Sequence, residues 1–407
     1  MTVFEDLQWR GLIQDISSDD LIEKLNNGGL TFYIGTDPTA DSMHIGHYSS
    51  FLISKRLAKA GHHPILLVGG ATGMIGDPKP TAERPMISKE EVYKNFIGLK
   101  NQAEKIFGFE VVNNYDWIKD INTIDFLRDY GKYFNVNYML QKDKVKSRME
   151  TGITFAEFAY MILQALDFLH LYETRNCVLQ VAGSDQWGNI TSGIELVRKK
   201  LDKEVYGMVM PLVTDSRGVK FGKTEGNALW LDENKTSSYE LYQYMINLED
   251  SMIISYLKKL TFLSKEEILD IEERHFAHPE ERIAQKALAK EVITELHGDE
   301  SYQRALDLSN ALFSGNIASL TAKEIEIGFK DVPNFEIKED INIVDALIAI
   351  KLASSKREAR EFVQSGAVMV NGNKITSLEY TVTSDNAIEG KFTVVRRGKK
   401  KYALIKH

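Results

Sequence analysis

Short apolar runs alternate with longer amphipathic stretches through the first half of the chain. Residues 30–35 (LTFYIG), 64–69 (PILLVG) and 177–182 (CVLQVA) are apolar almost throughout and end in Gly and polar residues, the pattern of buried strands. Between them, residues 45–60 and 89–107 place apolar residues at helical spacing. This strand–helix alternation predicts an α/β fold, a doubly wound, Rossmann-like parallel sheet whose ligands bind beyond the carboxyl ends of the strands. The strand ends YIGTD, VGGATGMIGD and VAGSDQWGN are therefore where chemistry is expected.

From residue 237 to 313 the pattern is helical, dense in Leu, Ile, Glu and Lys. A less regular stretch with Gly315, Gly328 and Pro333 follows, and then a compact α+β unit. The expected division is a sheet-based domain over 1–236 that carries the candidate chemistry, a helical domain over 237–325, a linker over 326–340 and a small C-terminal domain over 341–407. There is no internal repeat.

Residues 155–172 (FAEFAYMILQALDFLHLY) are apolar nearly all round and predict a buried helix. Tyr160, Gln164 and Asp167 nevertheless share one face of it, at i, i+4 and i+7. Burying a hydroxyl, an amide and a carboxylate without partners is costly. They must face either protein groups or a polar ligand; a zwitterion bearing a hydroxyl would satisfy all three.

His44 and His47 sit three apart in PTADSMHIGHYSSFLISKRL, where a helix begins with Asp41 or Ser42 as the expected N-cap. Both imidazoles then share the first turn, beside free backbone N–H groups and the positive end of the helix dipole, and Gly46 lets a ligand approach the backbone. That arrangement suits a phosphate. A second candidate phosphate loop is Lys220-Phe221-Gly222-Lys223-Thr224. It is not a P-loop, since Gly218 and Gly222 stand too close together. It still presents two ammonium groups and a hydroxyl.

Composition narrows the class. Apolar residues make up 43 %, enough for packed cores, and the only cysteine, Cys177, excludes an internal disulfide and any cysteine-cluster metal site. The first residues, with Glu5, Asp6 and Asp15, do not read as a secretory signal, and no apolar run is long enough for a membrane span. A cytoplasmic protein is expected. The net charge of -8 is unevenly spread: residues 341–407 hold twelve Lys/Arg against six Asp/Glu, a local +6, and leave -14 on the rest. A basic tail on an acidic body suits an RNA partner or a solvated surface.

Together these segments resemble class I aminoacyl-tRNA synthetases, and most closely the bacterial tyrosyl-tRNA synthetases. YIGTDPTADSMHIGH is similar to that family's HIGH signature and its tyrosine-binding strand. GGATGMIGDP, EFAYMILQALDFLHLYE and VLQVAGSDQWGNI resemble further active-site blocks, KFGKT the KMSKS-type loop, and LASSKREAREFVQSGAVMVNG an S4 RNA-binding module. The resemblance spans essentially the whole chain, in order. It implies ATP-dependent activation of L-tyrosine and its transfer to tRNA(Tyr). Tyr33 and Asp167 would bind the substrate phenol, Tyr160, Gln164 and Asp77 its ammonium, and Gln186 would lie near its carboxylate. Gly35, Asp37, Gly183 and Asp185 would border the adenosine. Thr39, His44 and His47 would stabilise the α-phosphate, and Lys220, Lys223 and Thr224 the departing pyrophosphate. The resemblance also implies Mg²⁺ accompanying ATP, tRNA contacts from Lys356, Arg357 and Arg360, and a homodimer formed through the catalytic domain, with the aromatic-rich residues 111–140 as its candidate surface. The loop after Asp77-Pro78 departs from the family pattern, with Lys79 and Arg84 as its candidate phosphate contacts. A tryptophanyl-tRNA synthetase is the nearest alternative, although it binds no phenol. A synthetase-derived RNA-binding factor without catalysis is another, opposed by intact His44, His47, Lys220 and Lys223.

Overall fold

Parallel strands buried on both faces account for the unbroken apolar runs. In the computed structural model, which describes all residues except 79–86, 150–151, 223–227, 315, 331 and 399–400, the three runs are adjacent strands of one six-stranded sheet. Its strands are β1 (Asp15–Ile16), β2 (Thr31–Thr36), β3 (His63–Val68), β4 (Glu110–Asn113), β5 (Cys177–Gly183) and β6 (Tyr206–Met210), in the order β1-β6-β5-β2-β3-β4. All neighbours are parallel except the short edge pair of β1 and β6. The chain winds outward from β2 through β3 to β4 on one side and through β5 to β6 on the other. The carboxyl ends of β2 and β5 are thus the topological switch point where doubly wound sheets bind ligands.

Three helices position the site, each with a local reason to start where it does. Ile45–Lys59 is capped by His44, whose Nδ1 accepts the Gly46 N–H at 3.1 Å. The expected caps, Asp41 and Ser42, are otherwise engaged. Gln102 donates to the Ser42 hydroxyl at 2.9 Å and accepts from Met43 N–H at 2.7 Å, which fixes the approach one turn earlier than a cap requires. Ser88 caps Lys89–Phe107. Thr154 and Glu157 form a capping box for Phe155–Arg175, which ends at Asn176 in the left-handed conformation. Glu157 is also gripped by Arg148 through two hydrogen bonds of 2.9 and 3.2 Å, both side chains being buried.

The chain forms two compact units, one of residues 1–236 and 248–292, the other of 237–247 and 293–407. Helical periodicity over 237–325 suggests a single helical domain. The segment is instead shared between the units, because amphipathic spacing says that a helix buries one face and not which core receives it. In the second unit, β9 (Val368–Val370), β10 (Asn373–Ile375), β12 (Phe392–Arg397), β13 (Lys401–Lys406) and β7 (Asn334–Glu336) form a sheet in the order β10-β9-β12-β13-β7. A separate pair joins β8 (Ile341–Asn342) to β11 (Thr381–Val382). Alternate residues of β12 and β13 face opposite clusters. Val395 and Ile405 pack with Leu347 and Val363, whereas Val394 and Leu404 pack with Leu308, Ile325 and Phe329. The expected linker, 326–340, therefore holds a strand of this sheet and a core residue, Phe329. Gly328 and Pro333 mark a helix end and a strand start there.

Candidate active site

A cleft of about 460 Å³ opens at the carboxyl ends of β2 and β5. Tyr33, Gly35, Asp37, Thr39, His44, His47, Asp77, Tyr160, Gln164, Asp167, Gly183, Asp185, Gln186 and Lys220 all line it, residues collected from across the first unit. Lys79, Arg84, Lys223 and Thr224 lie outside the described residues. Lys356, Arg357 and Arg360 are in the second unit, exposed on the helix Lys356–Gln364 that buries Ala359 and Val363, and Lys356 pairs with Asp345 at 2.7 Å.

At the floor, the Tyr33 hydroxyl is buried and has no hydrogen-bond partner. Its pKa is raised, by burial first and then by the neighbouring Asp167. Asp167 is 2 % exposed and accepts from Asn114 Nδ2 at 3.0 Å and Trp117 Nε1 at 2.9 Å. Burial pushes its carboxyl up to about 8, against the opposing effect of those two donors. An unpartnered hydroxyl beside a desolvated carboxylate is a site for a ligand hydroxyl.

Higher in the cleft the site is rich in acceptors. Asp37 takes hydrogen bonds from Tyr160 Oη and Thr72 Oγ1, both at 2.9 Å. Asn189 Nδ2 stands 3.2, 3.0 and 2.9 Å from oxygens of Asp77, Gln164 and Gln186. Gln186 Nε2 donates to Asp77 in turn at 3.1 Å. A ring so rich in oxygens suits a ligand ammonium, which brings three N–H donors.

The polar stripe on the helix Phe155–Arg175 thus faces both protein groups and the cleft. Asn114, Trp117, Thr72 and Asn189 are not among the residues that sequence reasoning singles out. Asn189 and Thr72 do lie inside the strand-end motifs. Asn114 and Trp117 (NNYDW) follow β4, the one sheet strand on this side with no apolar run to announce it.

At the mouth, the His44 and His47 rings stack with centroids 3.9 Å apart. His47 Nδ1 accepts the His44 backbone N–H at 3.2 Å, as His44 Nδ1 accepts that of Gly46. Acceptance at Nδ1 places the proton of each neutral imidazole on Nε2. His47 is held neutral, its pKa lowered to about 3 by burial and then by His44. The mouth is thus lined by neutral imidazoles, the Nε2–H of His47 reaching Thr36 Oγ1 at 3.3 Å. Gly222 (φ +79°) brings the Lys220 loop against this turn so closely that a Cβ there would lie 1.8 Å from Ile45.

Sequence comparison decides the family. A profile for tRNA synthetases class I (W and Y) matches residues 25–314, and one for the Tyrosine–tRNA ligase SYY-like C-terminal domain matches 324–405. The chain is 51 % identical to Tyrosine–tRNA ligase 2 of Enterococcus faecalis, covering 99 % of both chains, and 52 % identical to Tyrosine–tRNA ligase 1 of Bacillus cereus, covering 100 % of both. The chain belongs to the tyrosyl-tRNA synthetase family. Among solved structures, this synthetase is similar to a C-terminally truncated mitochondrial tyrosyl-tRNA synthetase of Aspergillus nidulans, with a TM-score of 0.68 and 32 % identity over 77 % of this chain and 94 % of that one. The second profile begins at 324, upstream of β7. Among its described residues, the synthetase has no helix long and apolar enough to cross a membrane.

Proposed function

We propose that this protein is a tyrosine–tRNA ligase whose cleft binds tyrosine with its phenol against Tyr33 and Asp167. The observation that carries this orientation is the buried, unpartnered Tyr33 hydroxyl beside Asp167. Tyrosine's phenol donates to the carboxylate and accepts from Tyr33. Its ammonium meets Asp77, Tyr160 and Gln164, and its carboxylate lies towards Gln186. ATP lies across the switch point, its adenosine bordered by Gly35, Asp37, Gly183 and Asp185.

The tyrosine carboxylate attacks the α-phosphorus, the bond to pyrophosphate breaks, and a mixed anhydride forms. No general base is needed, because a carboxylate is already a nucleophile. Catalysis is positioning and stabilisation of charge on the phosphoryl oxygens, supplied by Thr39 and the Nε2–H groups of His44 and His47. Lys220, with Lys223 and Thr224, neutralises the departing pyrophosphate. In the second step a ribose hydroxyl of the tRNA terminus attacks the tyrosyl carbonyl and AMP leaves. Mg²⁺ would enter with ATP and would supply further neutralisation of its phosphates.

The basic helix with Lys356, Arg357 and Arg360 contacts the tRNA backbone. Exchange of pyrophosphate into ATP should depend on tyrosine, and a wild type preferring tryptophan would overturn the assignment. In the same assays, reversing the three cations to glutamate should leave exchange intact while weakening aminoacylation and flattening its salt dependence, by up to about one unit of slope for each phosphate no longer neutralised. Unchanged aminoacylation across the salt series would make the tail a solvated surface. Cutting at 340 is a poorer test, since it strips Ile388, Val394 and Leu404 from the Phe329 cluster.

The protein is cytoplasmic and acts as a homodimer. Ile124, Leu127, Val136, Tyr138 and Phe155 are exposed on the first unit, Phe155 at 71 %, and exposed apolar side chains in such number support a partner surface. Sedimentation at micromolar concentration should give twice the mass of one chain, and Leu127→Glu should halve it. A wild-type monomer would refute the assembly.

A further inference from the structure

The segment leaving the Lys220 loop lies along the His44 turn as a short ladder. Ile45 N–H donates to Leu229 O and Leu231 N–H to Met43 O, both at 2.8 Å, with His44 and Trp230 paired between them. The Trp230 indole lies 6.4 Å from the His44 ring, and its backbone N–H donates to Thr236 Oγ1 at 2.9 Å. A turn closed by Lys235 N–H and Thr236 N–H on Asp232 O brings Lys235 back towards the ladder. Its ammonium pairs with the Asp41 carboxylate and stands 5.2 Å over the Trp230 ring. Asp41 has firm support. Gly98 of the helix Lys89–Phe107 approaches so closely that a Cβ there would sit 2.1 Å from Asp41 O, and Gln102 holds Met43 two residues on.

Asp41, Trp230 and Lys235 do not line the cleft. They join the support of the His44 turn to the segment that follows Lys220. We propose that Asp41 and Lys235 are positioning residues for adenylate formation, their ion pair clamping that segment on the His44 turn so that His44 Nε2–H and the Lys220 ammonium address one phosphate chain together. Both side chains are about one-third exposed, so the pair adds little to stability. Its effect is geometric, and it is felt where charge develops in the transition state. Lys94 also faces Asp41 and adds to the attraction without replacing the contact to Trp230.

This inference rests on reading the cleft as the adenylate-forming site. Wild-type adenylate formation tests that reading, and the ratio of variant to wild type tests the pair. Asp41→Asn and Lys235→Met in the full chain should each slow single-turnover adenylate formation about ten-fold, less than a full ångström of misplacement can cost. The tyrosine Kd and the number of tyrosine sites per chain should stay at wild-type values, the latter confirming that the variants are folded. Lys235→Arg should retain most of the rate, and Asp41→Asn combined with Lys235→Met should lose little more than either single variant, since each alone already breaks the pair. Wild-type rates in both single variants would overturn the proposal. So would a double variant as slow as the two single losses multiplied together, or a loss that appears entirely as weaker tyrosine binding.

Discussion

Replacing Asp167 with alanine is expected to lower kcat/KM for tyrosine roughly 100- to 1,000-fold, the largest loss of any single change in the cleft. The substitution removes an acceptor that is ionised when the phenol binds it, and strands two buried donors, Asn114 Nδ2 and Trp117 Nε1. A hydrogen bond to a charged group contributes about 1.5–3 kcal/mol, and each stranded donor adds its own desolvation cost. Tyr33→Phe removes one neutral partner and should cost only about 1 kcal/mol, near five-fold. Steady-state exchange kinetics with tyrosine on both variants measures the difference, and equal losses would refute the assigned division of labour.

The raised Asp167 pKa gives the same test a pH axis. In the empty cleft the carboxyl is protonated below about 8, and tyrosine's phenol needs the ionised form as acceptor. Tyrosine affinity should therefore rise as pH increases from 6 towards 8, and Asp167→Asn should abolish the rise. Stability runs the other way. A folded pKa above the unfolded value stabilises fully below about 4, and that contribution is lost as pH climbs to about 8. Affinity independent of pH in the wild type would contradict the assignment.

Arg148→Met should destabilise the first unit by about 3–5 kcal/mol, because it leaves Glu157 as a buried carboxylate without its counter-ion. Arg148→Met combined with Glu157→Leu should recover much of the loss, since the uncompensated charge is gone. Urea unfolding followed by tryptophan emission reads this directly: Trp9, Trp117, Trp187 and Trp230, the only tryptophans, all lie in the first unit. Coincident midpoints for wild type and Arg148→Met would show that the pair contributes nothing.

The sheet and the floor of the cleft are legible in the sequence because both rest on short-range patterns. Apolar runs announce β2, β3 and β5, and seven-residue spacing places Tyr160 and Asp167 on one face. What is not legible depends on distant residues. Asn114 and Trp117 reach Asp167 across about 50 positions, from a strand with mixed polarity. The N-cap falls on His44 rather than Asp41 or Ser42 because Gln102, 60 residues on, claims the Ser42 hydroxyl. The same limit explains the domain boundaries, since no local pattern records that 248–292 completes a core begun at residue 1.

That interrupted connectivity has a consequence for biosynthesis. The catalytic unit lacks its last helices until residue 292 has left the ribosome, although every residue assigned to the chemistry has been made by 224. At roughly 5–20 residues per second, its apolar faces wait several seconds for Ile253, Leu257 and Ile268 to arrive. Between the two segments the ribosome delivers residues 237–247, a strip whose own core is not synthesised until the very end. The nascent chain is thus most in need of chaperone cover in the interval after the active-site residues exist and before the unit that bears them can close.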